Sequence, residues 1–294
     1  MLKIVPLLNK AILSTSILVN WEGFLFLLDI GPGSTIEMIN RRIKTSRVKA
    51  ILITHSHIDH FWDLVPFLWL RRLRDQKDPL RIFCPKPYTN LFEWCVEITK
   101  TRNFASIQAI NGSSKIELDN LIIQPFQVEH ANEEMALGYA ITEKPKTKLL
   151  LEKLRNEKIP IEIWREIAKG EKVCLNGRII MPEEFSYKKQ RKIVYSGDTR
   201  PCEALKRASE NVDLLMIEAT YVDEKFQETA SKKGHTTIRE ALKIAFESGA
   251  KGVLLTHIPL NNSLEKVLQE AERIMKDIKN PPKLFLGVEE ITIS

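Results

Sequence analysis

Cysteine is scarce in this chain and long apolar runs are missing, and each absence excludes a class of protein. The four cysteines include no Cys-x-x-Cys pair; they are Cys84, Cys95, Cys174 and Cys202. This spacing argues against a thiolate zinc knuckle and against a disulfide framework, so we expect buried free thiols. No apolar stretch approaches the roughly 18 residues that a membrane-spanning helix needs.

The N-terminal segment is apolar but does not resemble a secretory signal. Asn9 and Lys10 interrupt it and no small-residue cleavage site follows, so we expect a cytoplasmic protein. Repeats and low-complexity tracts are also missing. With 44% hydrophobic and 28% charged residues, the composition is that of a soluble globular protein. The length permits a single domain over residues 1–294.

The six histidines are informative because of where they fall. Three of them lie with an aspartate in one short segment, which contains His55, His57, Asp59 and His60 and directly follows the apolar run 48–53. Four potential ligands so close together cannot share one face of a helix or strand, so we expect a loop at a strand end. Neutral imidazole and carboxylate suit zinc. The alternative, a polar surface loop, is disfavoured because protonation would make these groups repel one another.

Further residues of ligand type each close an apolar run. They are His130 after 121–128, Asp198 after 193–197, Glu218 after 212–217 and His257 after 253–256. Short apolar runs alternate with helical patterns, which is typical of an α/β fold. Loops at one edge of such strands gather into one cleft, so these side chains are expected to meet the 55–60 loop there. Taken alone, His130 or His257 would more often be an ordinary core or surface histidine.

The local patterns predict several elements. Residues 16–19 and 24–30 form a hairpin around residues 21–23, and strands are expected at about 80–83, 116–128 and 136–142. Helices are expected at 35–44 and 61–75. Pro66 should end or kink the first turn of the second helix.

His235 precedes another helix start. Thr237 and Glu240 have the spacing of a capping box, and apolar residues follow at helical spacing until about Gly249. The N-terminus of a helix favours phosphate, so His235 is a candidate for a phosphate-handling role. The alternative is a structural role in the loop that caps the helix.

The net charge of +6 is unevenly distributed. Residues 142–192 contain 14 lysines and arginines against 8 glutamates, which leaves 30 of each sign in the remainder of the chain. A patch of this kind attracts a polyanion. Its C-terminal end carries the run Lys188, Lys189, Arg191 and Lys192. The alternative is a solvated helical surface of mixed charge, which Glu152, Glu157, Glu162 and Glu166 make plausible.

Together these motifs resemble the metallo-β-lactamase fold as ribonuclease Z, the tRNA 3′-processing endonuclease family, uses it. The resemblance runs in order from about residue 14 to 260 and rests on His55, His57, Asp59 and His60; His130 with Gly138 and Tyr139; Tyr195 to Cys202 around Asp198; Glu218 to Thr220; Gly234 to Thr237; and Leu255 to His257. It implies a four-layer αβ/βα sandwich with two zinc ions between its sheets. Manganese or iron are alternative metals.

The resemblance also assigns roles to residues. His55, His57 and His130 would hold one zinc ion, Asp59, His60 and His257 the other, and Asp198 would bridge them. Asp59 would orient or deprotonate the attacking water, and His235, oriented by Glu218, would protonate the departing 3′-oxygen. The products would be tRNA with a 3′-hydroxyl and a trailer with a 5′-phosphate.

The family further implies a homodimer and a basic arm that grips the tRNA, here residues 142–192. RNA contacts are expected from Lys188, Lys189, Arg191, Lys192 and Arg200. The stretch 159–164 has one proline and no glycine, whereas family arms have a Gly-Pro-rich tip, so a reduced or stiffer arm is expected.

Other positions depart from the family pattern. Pro32 replaces a frequent glutamate, Ile217 a frequent histidine, and residues 258–262 lack the arginine that follows the last ligand. Asn261 and Asn262 could donate hydrogen bonds to RNA there, more weakly than a guanidinium.

Two other functions are compatible with the sequence. A small-molecule hydrolase of the same fold would cut a cyclic phosphodiester or a thioester without needing the charges of residues 142–192. A non-catalytic RNA-binding module would need no metal ligands, yet all seven are present.

Overall fold

The computed structural model describes residues 1–10, 13–130, 133–259, 262–287 and 289–293. The strands in these ranges are β1 Leu2–Lys10, β2 Ser14–Trp21, β3 Phe24–Leu28, β4 Val48–Leu52, β5 Leu80–Pro85, β6 Ala105–Ile110, β7 Ile116–Leu118, β8 Leu121–Val128, β9 Ala136–Glu143, β10 Lys146–Leu149, β11 Val173–Leu175, β12 Arg178–Ile180, β13 Ser186–Lys189, β14 Lys192–Tyr195, β15 Leu214–Glu218, β16 Gly252–Thr256, β17 Lys283–Phe285 and β18 Ile291–Ile293.

The α-helices in the same ranges are α1 Ser34–Asn40, α2 Ile58–Phe61, α3 Leu64–Leu73, α4 Thr89–Thr99, α5 Leu151–Asn156, α6 Trp164–Lys169, α7 Pro182–Phe185, α8 Glu203–Ala208, α9 Gln227–Lys232, α10 Ile238–Glu247 and α11 Leu264–Met275. Short 3-10 helices lie at Thr45–Arg47, Lys86–Tyr88, Ile161–Ile163 and Glu224–Phe226. None of the helices described is long and apolar enough to cross a membrane.

Two large sheets dominate the described part of the chain. The first has the strand order β18-β1-β2-β3-β4-β5-β6, and the second has the order β17-β16-β15-β14-β9-β8-β7. Strands β3 to β6 run parallel, as do β14 to β17, whereas β8, β9 and β14 alternate in direction. Strands β8, β14, β15 and β16 therefore end at the same edge of the second sheet.

Strand β3 is apolar throughout, and β15 and β16 are apolar up to their last residue, because both faces of each sheet are covered. In β3, Phe26 and Leu28 join the core between the sheets, while Leu25 and Leu27 face the opposite side with the helices α3 and α4. The second sheet alternates in the same way, with helices α10 and α11 on its outer face. The layers are helix, sheet, sheet, helix, so the predicted αβ/βα sandwich is confirmed.

Two helical predictions need correction. The helix expected over 61–75 is α3 at Leu64–Leu73, and the segment expected to be a loop through His60 contains the short helix α2, which is separated from α3 by Trp62 and Asp63. Pro66 lies in the first turn of α3 and does not end it, because an N–H in that turn has no helical acceptor to lose. The first predicted helix is also shorter than expected, since α1 ends at Asn40.

The strand expected over 116–128 is a hairpin of β7 and β8, with Asp119 in the left-handed region at φ 53°. The hairpin predicted for residues 16–30 is confirmed as β2 and β3. The capping box at the start of α10 is confirmed as well, because the Thr237 hydroxyl accepts from the Glu240 N–H while the Glu240 carboxylate accepts from the Thr237 N–H.

The cysteines are free thiols, as predicted, but not all are buried. Cys84, Cys95 and Cys202 are buried and Cys174 is exposed. Burial raises the pKa of Cys84 to about 12 and that of Cys95 to about 11, so both stay protonated and inert at neutral pH.

The basic segment forms a small unit beside the sandwich. Strand β10 pairs with β13, and β11 pairs with β12. These strands and helices α5 to α7 enclose a separate apolar cluster of Leu154, Ile159, Ile167, Ile180 and Phe185. At its root the buried Arg191 guanidinium contacts Glu143 at 2.8 Å and Glu22 at 2.7 Å.

Candidate metal centre

All six histidines of the chain meet at the carboxyl ends of the central strands. The loop after β4 brings His55 and His57, and α2 brings Asp59 and His60. His130 follows β8, Asp198 follows β14, Glu218 ends β15 and His257 follows β16. The strand-end reasoning is therefore confirmed in its placement of these residues.

The nitrogen and oxygen atoms of these side chains fall into adjoining groups, each with its ligand atoms within 4.8 Å of one another. One group is His55, His57 and His130, and another is Asp59, His60 and His257. Asp198 adjoins both groups, since it forms further groups with His55 and His60 and with His130 and His235, and its Oδ2 is 3.3 Å from His60 Nε2 and 3.2 Å from His257 Nε2. The carboxylate of Asp59 is also 3.2 Å from His257 Nε2.

Neighbouring polar groups determine which imidazole nitrogen faces the cluster. Thr54 Oγ1 donates to the Asp29 carboxylate, so at 2.9 Å it accepts from His55 Nδ1–H. His130 Nδ1 lies 2.8 Å from the Gly234 carbonyl oxygen, which can only accept. In both rings Nδ1 therefore carries the proton, and Nε2 offers its lone pair to the cluster.

The donor set fits a divalent metal. The Nε2 atom of His55 is buried and makes no hydrogen bond to any described residue, whereas that of His60 faces the Asp198 carboxylate at 3.3 Å. A buried polar atom without a partner is costly, and a metal ion would satisfy the His55 nitrogen. Imidazole with carboxylate is the ligand chemistry of zinc and of related divalent metals. The cluster is accordingly a divalent-metal site.

The protonation states agree with this assignment. Burial and the neighbouring imidazoles lower the pKa of His55 well below its usual value, and burial also lowers the pKa of His130, so both are neutral and able to bind a metal. Burial raises the pKa of Asp198, but His257 and His60 outweigh it and hold that pKa well below the usual value. Asp198 is therefore a carboxylate.

His60 differs from His55. Burial disfavours its charged form, but the carboxylates of Asp198 and Asp29 raise the pKa of His60 well above its usual value. In the metal-free protein the His60 proton thus supplies positive charge between the carboxylates. Metal binding would displace this proton.

Asp29 is a site residue that the sequence reasoning missed. The sequence pattern places it only within the hairpin segment 24–30 and gives it no role at the site. Its fully buried carboxylate accepts hydrogen bonds from the Thr54 N–H at 2.8 Å, from His60 Nδ1 at 2.8 Å and from the Tyr195 hydroxyl at 2.8 Å. The signal was available, because Asp29 directly follows the apolar run of β3, as Asp198 follows that of β14.

Glu218 and His235 form a pair beside the cluster. The fully buried Glu218 carboxylate accepts from the Thr199 N–H at 2.6 Å, the Thr236 N–H at 3.1 Å and the Thr220 hydroxyl at 2.5 Å. His235 Nδ1 lies 3.0 Å from Glu218 Oε1. Burial lowers the pKa of His235, but Glu218 outweighs it and raises that pKa to about 9. Its ring stacks on His257 with centroids 5.5 Å apart, so the pair adjoins the ligand groups.

The predicted RNA contacts do not gather at this centre. Lys192 begins β14, while Asp198 follows its end, so the length of this strand, roughly 10 Å at 3.3 Å per residue, separates the basic run from the centre. Lys188 is exposed, and Lys189 and Lys192 are half-buried. Arg200 is exposed near the site and pairs with Glu129 at 2.8 Å.

The position of Arg191 contradicts the prediction that this residue contacts RNA. Its side chain is 7% exposed and its guanidinium is occupied by Glu143 and Glu22. The arginine belongs to the root of the basic segment and does not present its charge to a ligand. Of residues 258–262, Leu260 and Asn261 lie outside the described residues, and the Asn262 N–H lies 3.3 Å from the Pro259 carbonyl oxygen.

Comparison with known proteins places this geometry in a family. Residues 26–150 and 184–258 match the family described as the β-lactamase superfamily domain. The fold and the match define a metal-dependent domain of this superfamily. A ribonuclease Z from Ignicoccus hospitalis is 31% identical over 258 residues, covering 86% of this chain and 85% of the relative. One from Saccharolobus solfataricus is 33% identical over 262 residues, covering 87% of both. The chain belongs to the ribonuclease Z family.

Solved structures share the fold at lower identity. The short form of human tRNase Z has a TM-score of 0.68 and 18% identity, covering 99% of both chains. The metallo-β-lactamase fold protein YhfI of Bacillus subtilis has a TM-score of 0.69 and 17% identity, covering 98% of this chain and 96% of its own.

Proposed function

We propose that the chain is a cytoplasmic, metal-dependent endoribonuclease that removes the 3′ trailer from precursor tRNA. The tRNA would keep a 3′-hydroxyl and the trailer a 5′-phosphate. The observation that carries the proposal is the Glu218–His235 pair beside the ligand cluster, because it adds a proton donor to a metal site. Relatives named ribonuclease Z along most of the chain support the substrate class.

The site would hold two zinc ions per chain. The ligands would be His55, His57 and His130 for one ion, Asp59, His60 and His257 for the other, and Asp198 for both. The unpartnered Nε2 atom of His55 supports this assignment. Manganese or iron accept the same ligand types, so elemental analysis of the purified protein identifies the metal. When bound, a pair of divalent ions polarises a phosphodiester and lowers the pKa of coordinated water toward neutrality.

Asp59 and His235 would move the protons of the reaction. The pKa of Asp59 is raised by burial, but hydrogen bonding to His257 outweighs this and lowers it, so the carboxylate is ionised and able to orient the attacking water and accept its proton. The water oxygen bonds to phosphorus as the bond to the 3′-oxygen of the tRNA breaks. His235 donates a proton to that oxygen, held in place by Glu218 at 3.0 Å.

Residues 142–192 would form a reduced arm that grips the tRNA, inserted in a single domain of 1–294. The family match omits residues 151–183, and this part encloses an apolar cluster of its own. Lys188, Lys189, Lys192 and Arg200 would contact phosphates. Reversing the charges of Lys188 and Lys189 should weaken tRNA binding and flatten its salt dependence. Unchanged tRNA binding would instead favour the alternative function, hydrolysis of a small molecule that does not contact these lysines.

A homodimer is the oligomeric state that we propose. Large apolar side chains are exposed along α2 and α3, namely Ile58 at 61%, Trp62 at 49%, Trp69 at 44% and Leu73 at 65%. Helix α4, which packs beside α3, adds exposed Trp94 and Ile98. Monomers seldom expose apolar patches of this extent, and a symmetric second copy would cover the patch. Light scattering should give twice the chain mass, and Trp69→Glu should halve it, unlike Ile161→Glu on the arm.

One experiment tests the catalytic proposal directly. A 3′-extended tRNA transcript is incubated with metal-loaded protein, with and without chelator, and both ends created by cleavage are mapped. We expect one cut at the trailer junction that the chelator abolishes. Intact transcript, together with turnover of a small phosphodiester, would refute the proposal. Full activity of Asp198→Ala would refute the metal mechanism.

A further inference from the structure

Glu133 is a buried carboxylate beside the metal centre, and it is neither a proposed metal ligand nor a proposed catalytic residue. Its Oε1 lies 3.2 Å from Nε2 of His57, and its side chain is 5% exposed, against 44% for His57. The Ser56 hydroxyl lies 3.1 Å from both carboxylate oxygens. The carboxylate therefore contacts two consecutive residues of the loop that carries the first ligands.

Tyr88 fixes the segment that carries Glu133. Its hydroxyl accepts from the Glu134 N–H at 2.8 Å and from the Met135 N–H at 3.3 Å. Burial and a hydrogen bond to Glu133 raise the pKa of Tyr88, so the phenol keeps the proton that it donates to the carboxylate. Tyr88 belongs to the 3-10 helix after β5, which attaches this segment to the first sheet.

His57 is the exception among the proposed histidine ligands. His55, His60, His130 and His257 each use Nδ1 for an outer contact, which leaves Nε2 for the cluster. In His57 the order is reversed, since Nδ1 lies 3.2 Å from His130 Nε2 within the cluster while Nε2 faces Glu133. The ring therefore has an acceptor at each nitrogen, His130 at Nδ1 and Glu133 at Nε2, and the stronger acceptor, the carboxylate, selects the nitrogen that carries the proton.

We propose that Glu133 is the positioning residue of His57, holding the ring proton on Nε2 so that the Nδ1 lone pair faces the first metal group. The inference rests on the metal site of the proposed function. Carboxylates that orient ligating histidines fix the ring and raise ligand basicity, and their loss typically lowers metal affinity 10–100-fold. Ser56 and Tyr88 hold the carboxylate in the orientation that this role needs.

The first test needs neither metal nor RNA. In the metal-free protein, ¹⁵N shifts of the imidazoles report which nitrogen carries the proton. We expect His57 to be protonated on Nε2 in the wild type and in Glu133→Gln, whose amide oxygen can still accept. We expect Glu133→Ala to move the proton to Nδ1, because His130 Nε2 at 3.2 Å is then the remaining acceptor in contact with the ring. The exposed Glu134 provides a matched control, because Glu134→Ala removes the same charge one residue away. An unchanged tautomer in Glu133→Ala overturns the proposal.

The second test measures metal affinity by competition with a chromophoric chelator. Glu133→Ala should weaken binding of one zinc ion about 10–100-fold, Glu133→Gln by less, and Glu134→Ala within twofold. The melting temperatures of the metal-free variants should match the wild type. A fall in metal-free stability that accounts for the whole effect would show a purely structural role and overturn the proposal. Neither test uses RNA. The role of Glu133 would therefore stand if the protein failed to cleave precursor tRNA, and a failure of the Glu133 proposal would not contradict tRNA cleavage.

Discussion

Replacing His235 by alanine would remove the proposed proton donor while leaving the metal ligands in place. The ring is 16% exposed and fixed by Glu218 at 3.0 Å, so its loss affects donation of the proton rather than the position of the RNA. A positioned general acid contributes about 10²–10⁴ to the rate, which corresponds to about 3–5 kcal/mol of transition-state stabilisation. We therefore expect kcat to fall by about 10²–10⁴ with little change in KM or in zinc content.

Glu218 keeps His235 charged at neutral pH in the metal-free protein. Burial lowers the pKa of His235, but the Glu218 carboxylate raises it overall from 6.5 to about 9, a shift of about 3 kcal/mol. At pH 8 about nine-tenths of the rings carry the proton, against about three per cent at the ordinary pKa. Because the folded pKa is raised, this stabilisation is fully present below pH 6.5 and is lost as the pH rises through about 9. An NMR titration should show the His235 pKa falling toward 6.5 in Glu218→Gln.

The assay that isolates proton donation changes the leaving group. A precursor with sulfur in place of the 3′-oxygen at the cleavage site needs no proton, because a thiolate leaves readily. Under single-turnover conditions His235→Ala should cleave this substrate at nearly the wild-type rate. An equal loss of rate on the oxygen and sulfur substrates would refute the role of His235 as general acid and would indicate a contribution to metal or phosphate binding.

Other predictions follow from the packing. A Cβ at Gly31 would lie 2.0 Å from the Asp59 carbonyl oxygen, so Gly31→Ala should displace the ligand loop and weaken zinc binding measured by chelator competition. Arg191→Met leaves the buried Glu143 with the longer contact to Lys146 at 3.8 Å and should destabilise the fold by up to about 3–5 kcal/mol at pH 7 in denaturant titrations. The paired Glu143 has a lowered pKa, so this difference should shrink as the pH falls below 4.5. Removing the metal with a chelator should lower the melting temperature of the wild type, because the metal binds only the folded cluster.

The positions of the ligands were predictable because they depend on local pattern. Apolar runs such as Val253 to Leu255 form buried parallel strands, and the residue that follows must emerge at the sheet edge, where His257 lies. The capping box of Thr237 and Glu240 was likewise predictable, because it depends on residues within a stretch of four. These features need no knowledge of distant contacts.

Contacts between distant residues could not be predicted in this way. Asp29 lies in a segment with the composition of a turn, and its partner Tyr195 comes from the other sheet. Arg191 lies in a basic run, and only the fold reveals that Glu143 and Glu22 surround its guanidinium. Charge patterning predicts where cationic side chains lie in the chain but not which of them form ion pairs within the protein.

The two sheets support the centre through matching arrangements. On the first sheet the Thr54 hydroxyl donates to the Asp29 carboxylate and faces Nδ1 of His55. On the second sheet the Thr220 hydroxyl donates to Glu218 and faces Nδ1 of His257. In each case a carboxylate fixes the hydroxyl, the hydroxyl fixes the imidazole proton, and Nε2 is left for the cluster.

This arrangement separates metal binding from substrate recognition. The supporting carboxylates lie at or directly after the ends of β3 and β15, where backbone pairing within each sheet limits movement. None of the supporting contacts named above is made by Pro259 or Asn262, the partly exposed residues described in the loop that follows His257. The absence of an arginine in that loop should therefore raise KM for RNA and leave zinc affinity unchanged. Introducing an arginine at Asn262 tests this directly, since lower zinc affinity in Asn262→Arg would show that loop and metal centre are coupled.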